Sequence, residues 1–424
     1  MARPHRRWGA AAPVLIAGAL LLASCGGARP TISGEVEVLG SWSGAELEAF
    51  TEVVRPFEER TGVSVTYALT RDLRGVLRGR MENGRPPDVA GLEGPAHMRE
   101  LAEAGALRDL GDVLDVRAYR SRVAPTFIEL GTVDGRLVGV FLRSSAKGLI
   151  WYNPAVYTLG PPETWDELQR LAIQAANRAE REWCIGLASE ESSGWPGTDL
   201  IEQFLLRQFG VEAYDRWIAG DLAWTSREVR RAFEYYGQMV ADELAFGSSD
   251  AALETDFRDA GDPLFSDPPG CLFLHQGSFM PAFFGEGDLA AGRDFEFFPF
   301  PAMAAGASSA VIGGGDLFGL LTDSPAAEEL MRYLVSDEAQ SIWVAQGGSL
   351  SVSAGVRNYP DAVSRRAAEL ITGADLFRFD ASDLMPPGLN AAFRNAVLAY
   401  TADRARLDAI LAELEAARVA AYGQ

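Results

Sequence analysis

Lysine is almost absent from this chain: of its 38 basic residues only Lys147 is not arginine. A Walker A phosphate loop needs a lysine directly after glycine, and Lys147 follows Ala146, so the chain is not a P-loop ATPase. If it serves an ATP-driven process, the ATPase is a separate protein. The bias toward arginine itself reads as the mark of a GC-rich genome. Histidine is also scarce, at three residues, and His97 and His275 bring neither metal-ligand spacing nor a nucleophile motif with them. Beyond residue 24 there is no apolar run long enough for a membrane helix, and no repeat or low-complexity tract. Positive charge is in deficit overall, 38 basic against 59 acidic residues for a net charge of −21. A dispersed acidic excess disfavours nucleic acid and anionic lipid as ligands.

What is present begins with an export signal. Arg3, Arg6 and Arg7 precede an apolar stretch from Gly9 to Ala23, the layout of a secretory leader. Leu22-Ala23-Ser24-Cys25 then resembles a bacterial lipobox. That implies cleavage after residue 24, a diacylglycerol on Cys25, a tether over 25–33 and a mature net charge of −24. The mature body would thus be held at the outer face of the membrane by its lipid. Cys184 and Cys271 remain as an even pair in an oxidising compartment, either a disulfide or two free thiols.

The body opens with β-α-β alternation. Gly34 to Gly40 and Val63 to Leu69 read as strands. Between them lies a helix capped by Ser43, with Glu46 three residues on in the pattern of a capping box. A further strand near Asp88–Leu92 extends the pattern of an open, mainly parallel sheet covered by helices. Ligands collect at the C-terminal strand edges of such sheets, here near 40–44, Thr70–Arg71 and Glu93. Strand-like segments recur at 134–142, 148–152, 295–301 and 316–321. The stretch 164–290 is mostly helical, 325–344 reads as one helix, and the chain closes on an amphipathic helix carrying Leu407, Ile410, Leu411 and Leu414. The division expected is 34–143 for a first lobe, 144–292 for a second, 293–350 for a return to the first, and 351–424 for a helical part spanning hinge and lobes.

Particular segments carry a family resemblance. Leu149-Ile-Trp-Tyr-Asn-Pro154 with Pro161-Pro-Glu-Thr-Trp-Asp-Glu-Leu168, and Gly313-Gly-Gly-Asp-Leu-Phe-Gly319 followed by Leu334-Val-Ser-Asp-Glu-Ala-Gln340 and Gly347-Gly348, resemble the maltose-binding-like solute-binding proteins of ABC importers. A narrower likeness to the α-glucoside-binding branch rests on Gly40-Ser-Trp-Ser-Gly44, Trp183-Cys-Ile-Gly186, Gly194-Trp-Pro-Gly-Thr-Asp199, Pro268-Pro-Gly-Cys271 and Phe377-Arg-Phe-Asp-Ala-Ser-Asp383. Leu274-His275-Gln276-Gly277 departs from that branch. The resemblance implies a two-lobe α/β fold with a hinge, an α-glucoside ligand, and permease subunits served by a separate ATPase. It implies neither cofactor nor metal, no catalysis, and a monomer.

A sugar presents hydroxyls around its edge and apolar C–H faces, so its site needs aromatic faces with fixed polar partners. Carboxylates suit the edge because their hydrogen bonds are charge-assisted. Trp195, between Gly194 and Pro196 in what reads as a loop, is the leading stacking candidate, and Trp42 is a second. Ser43, Glu46, Arg71, Glu93, Asp199 and Asp380 are the polar candidates. Gly315 and Asp316, in what reads as a triple-glycine loop, would permit close backbone approach. His275 reads as structural. The competing readings are a secreted glycosidase, which needs a carboxylate pair across the scissile bond, and a lipid-anchored protein scaffold.

Overall fold

The computed structural model describes residues 1–2, 34–92, 94–284, 289–303, 310–374 and 376–423. The expected leader from residue 3 on, Cys25, the expected tether and Glu93 lie outside the described residues. Among those described, no helix is long and apolar enough to cross a membrane.

Among the described residues twelve strands follow one another. They are β1 (Gly34–Gly40), β2 (Val63–Leu69), β3 (Val89–Leu92), a short hairpin of β4 (Thr132–Val133) and β5 (Arg136–Leu137), β6 (Val140–Ala146), β7 (Leu149–Tyr152), β8 (Arg181–Cys184), β9 (Cys271–Gln276), β10 (Glu296–Pro299), β11 (Val311–Leu320) and β12 (Phe377–Phe379). The first large sheet runs β12-β11-β3-β1-β2, with β6 paired to β11, and the second runs β10-β7-β9-β8. Period-two patterning explains β1: Val36 and Val38 are fully buried, while Glu37 on the other face pairs with Arg80. In the first sheet β1–β2, β1–β3 and β11–β12 are parallel. The second sheet is mixed, with only β8–β9 parallel.

Each sheet has its own core. Trp42, Phe50, Phe57, Phe141, Phe318 and Trp343 pack in the first. Trp165, Trp183, Phe204, Trp217, Trp224 and Phe393 pack in the second, joined by Ile410, Leu411 and Leu414 of the closing helix Leu407–Tyr422. This is a two-lobe α/β fold. The chain passes between the sheets at Lys147-Gly148, in the stretch from β10 to β11, and at Asp380 after β12.

Four local expectations change. The helix after β1 spans Ala45–Thr61 and starts at Gly44 with no side-chain cap, so Ser43 and Glu46 form no capping box. The expected helix over 325–344 is two helices, Pro325–Leu334 and Asp337–Ala345. Ser336 Oγ accepts from Ala339 N and starts a second helix there. The triple glycine lies inside β11 and not in a loop. Finally, β10 pairs with β7 in the second sheet, so the return to the first sheet begins at Val311, not at 293.

Candidate functional site

The cleft between the sheets holds a cavity of about 250 Å³, just under the roughly 300–1,000 Å³ of small-molecule sites. Its walls come from both lobes and from the crossings between them. Ser41, Trp42, Glu46, Arg71, Gly315 and Asp316 stand on the first-lobe side, and Trp195, Asp199, Phe257 and Phe279 on the second. Lys147, Asp380 and Asp383 lie near the crossings.

Strand β6 and the residue just past it supply the charge on the floor: Arg143, Ser144, Ser145 and Lys147 all line the cleft. Pairing of β6 with β11 shifts register between Asp316 and Leu317, a bulge of the kind that re-aims side chains beside functional sites. Arg143 Nε donates to Asp316 Oδ2 at 2.6 Å and its Nη2 to Glu46 Oε1 at 2.6 Å. Burial opposes the charge on Arg143, but Asp316 and Glu46 outweigh it and hold the guanidinium protonated.

Four residues along, Lys147 Nζ donates to Asp199 Oδ2 at 2.6 Å and lies 3.1 Å from Asp380 Oδ2. Here too burial opposes the charge, and Asp199 and Asp380 reverse the effect. Burial pushes the Asp199 carboxyl well up, against the pull of Lys147. Asp380 goes the other way: burial would raise it, but Lys147 and the Ser382 hydroxyl bring it down. One ammonium therefore stands between two buried carboxyl groups and serves both.

The aromatic wall forms at the start of the helix Trp195–Ile218. Gly194 precedes it at φ 97°, and a Cβ there would come within 2.5 Å of Arg394 O, so only glycine fits. Trp195 is the first residue of this helix and not part of a loop. Its half-buried ring packs 5.1 Å from Phe257 and 5.9 Å from Phe279, centroid to centroid.

The sequence candidates divide. Glu46, Arg71, Trp195, Asp199, Gly315, Asp316 and Asp380 meet at the cleft. Trp42 also lines it but is only 2 % exposed. Its ring is enclosed by Phe50, Tyr67, Phe318 and Trp343, and its Nε1 donates to Asp316 Oδ2 at 3.2 Å. It is a core residue with a polar edge and offers no free face for stacking. Ser43 is not in the cleft wall; its hydroxyl accepts from Arg258 Nη1 at 3.3 Å. Asp380 is 2 % exposed and its oxygens are occupied by Ser382 Oγ, Asp383 N and Lys147. His275 is buried, and its pKa falls to about 3 because of that burial, with the Lys147 charge adding to it.

Sequence reasoning missed Arg143, Lys147, Phe257, Phe279, Asn390 and Arg394, all of which line the cleft. Two basic residues at the end of an apolar strand, Arg143 and Lys147, were a readable signal. The others come from distant helices and loops with no local pattern. Asn390 Oδ1 is buried without a protein partner, an acceptor available to a donor in the cleft. Among the described residues no cluster of histidine, cysteine and carboxylates could hold a metal.

Residues 41–341 match the bacterial extracellular solute-binding protein family. The chain belongs to that family. The match to this solute-binding protein spans both lobes and most of the cleft, and the family is one of binding proteins outside the cytoplasm, not of enzymes. The chain is 33 % identical over 386 residues to the osmoprotective compounds-binding protein GgtB of Synechocystis sp., covering 88 % of this chain and 90 % of that one. It is 34 % identical over 370 residues to the alpha-glucosides-binding periplasmic protein AglE of Rhizobium meliloti, covering 84 % and 80 %. A solved chitin oligosaccharide binding protein superimposes with a TM-score of 0.78 at 19 % identity, covering 93 % of this solute-binding protein and all of that chain. This likeness bears on the fold alone.

Proposed function

We propose that this solute-binding protein captures an α-glucoside in the cleft and delivers it to the permease of an ABC importer. The observation that carries the reading is the half-buried Trp195 ring opposite Asp316, which stands 35 % exposed on the first-lobe wall. Together they offer an apolar face and a charge-assisted acceptor, which a pyranose uses at once. Likeness to AglE over most of both chains supports the α-glucosidic linkage. The likeness to GgtB adds small osmoprotective solutes as the competing ligand class. The protein acts as a monomer without a cofactor, its lobes closing about the crossings at 146–149 and 379–381. Cys25 carries the lipid that holds it at the membrane.

Thermal unfolding of the mature chain with a panel of α- and β-linked di- and oligosaccharides and betaine-type osmolytes tests the ligand. Ligand at a thousand times its dissociation constant adds about 4 kcal/mol to the folded state. Stabilisation by α-glucosides is the expected result, and stabilisation by the osmolytes alone would overturn it. For the anchor, Cys25→Ala is expected to release the protein from the membrane or leave it unprocessed.

A further inference from the structure

We infer that Lys147, the single lysine of the chain, is the positioning residue of the cleft: its ammonium fixes the Trp195 ring and ties it to two of the crossings between the lobes. This rests on the reading that the solute stacks on Trp195. Lys147 sits at the first crossing, between β6 and β7, and Asp380 at the last, after β12. The Asp380 contact at 3.1 Å thus joins two crossing strands. The Asp199 contact at 2.6 Å reaches the helix that begins with Trp195, one turn further along it. The same Nζ lies 4.8 Å from the Trp195 ring centroid, within cation–π range.

The surroundings are shaped for this side chain. Lys147 N donates to Ile312 O at 2.8 Å, which fixes its backbone against β11. A Cβ on Gly314 would stand 3.2 Å from Lys147 Cε, so the central glycine of the triple leaves room for the lysine stem. A guanidinium is wider and planar, whereas an ammonium directs three donors tetrahedrally. In a chain with arginine at every other basic position, that geometry gives a physical reason for lysine here.

Trp195 and Asp199 are therefore held from below by a group that need not touch the solute. Removing the charge alone would leave two buried carboxylates without a cation, which endangers folding. The informative variant is therefore the charge-balanced Lys147→Met/Asp199→Asn, in which Asp380 keeps Ser382 Oγ and Asp383 N as donors. Calorimetry with the α-glucoside that stabilises the wild type is expected to show at least a tenfold loss of affinity. Difference emission between each protein and its Trp195→Phe counterpart is expected to show a shifted Trp195 signal. Lys147→Arg, which keeps the charge, is expected not to restore affinity. A folded double variant with wild-type affinity and an unmoved Trp195 signal would overturn the inference. A folded Lys147→Arg protein with wild-type affinity would overturn the inference as well. A wild type that binds no α-glucoside sinks the functional reading instead.

Discussion

Arg71 Nη2 donates to Ser189 Oγ at 2.6 Å, joining the end of β2 in the first lobe to the loop before the Trp195 helix in the second. The same guanidinium donates to Ser41 O at 3.1 Å and lies 5.9 Å from the Phe257 ring centroid. Beside it, Arg258 of the second lobe reaches Ser43 of the first. Arg71 thus acts as a bridge across the cleft mouth as well as a part of its wall. Hydrogen bonds to charged groups contribute about 1.5–3 kcal/mol, so Arg71→Ala is expected to weaken solute binding about tenfold or more. The loss should fall mainly on the dissociation rate and be similar for every sugar that binds. Stopped-flow displacement reads this directly; a loss confined to one sugar would mean a ligand contact instead.

Trp195→Ala is expected to lower sugar affinity tenfold or more while the protein stays folded. Aromatic contacts are worth about 0.5–1.5 kcal/mol beyond the area they bury, and alanine replaces none of it. Asp316→Asn should behave differently. Asp316 Oδ2 serves both Arg143 Nε and Trp42 Nε1, so the amide is expected to lower the melting temperature as well as the affinity. Calorimetry beside melting curves separates the two. A Trp195→Ala protein with a lowered melting point and unchanged affinity would place that ring in the core.

Cys184 and Cys271 are joined by a disulfide across 87 residues, their Cα atoms 5.5 Å apart. A loop of that length is worth roughly 4 kcal/mol in the chain-entropy account, often less in practice. Cys184→Ser/Cys271→Ser is expected to melt several degrees lower yet keep its sugar affinity, because the bridge joins β8 to β9 away from the cleft wall. Equal melting temperatures with and without reductant would reject a stabilising role.

The pH dependence of stability follows from buried groups that bind protons differently in the folded and unfolded chain. Burial lowers His275 to about 3 and His97 to about 4, from 6.5, with nearby positive charge adding to both effects. Both lowered histidines contribute stability that is full above about 6.5 and lost as pH falls toward their folded values. Burial raises Glu182 from 4.5 to about 7 and the Asp199 and Glu202 carboxyls well above their ordinary values, so these three act in the opposite sense and their contribution is lost as pH rises. The share of His275 is read by difference. Between pH 4.5 and 6.5 it takes a proton only in the unfolded chain, which costs about 1.4 kcal/mol per pH unit on acidification. Urea unfolding of wild type and His275→Gln at pH 6.5 and 5 measures it. The stability difference between the two is expected to shift by about that slope in favour of the variant at the lower pH, and an unshifted difference would show that His275 does not carry it.

Much of this was legible locally. Val36 and Val38 alternate with glutamates, and β1 follows. Short motifs such as Gly194–Asp199 carried the family resemblance and placed Trp195 and Asp199 at the cleft. Where local reading failed, a tertiary partner decided. Glycines 313–315 suggested a loop, but the ring of Phe377, the Lys147 stem and the Arg143 carbonyl each need the space a side chain would take, so the run is a strand. Ser43 and Glu46 have the spacing of a capping box, but Arg258 and Arg143 engage them instead.

The sequence by itself determined the class of molecule. The alternation of strands and helices, the even cysteine pair and the short motifs that carry the family resemblance are all local signals. They depend on residue type and spacing along one segment. Which residues face the cleft was settled only in three dimensions. Strand patterning reports which face a side chain occupies but not what stands opposite. Lys147 meets Asp199 across 52 residues, and Arg143 meets Asp316 across 173. A buried charge persists only where its counter-charge arrives, and that arrival is a property of the folded chain.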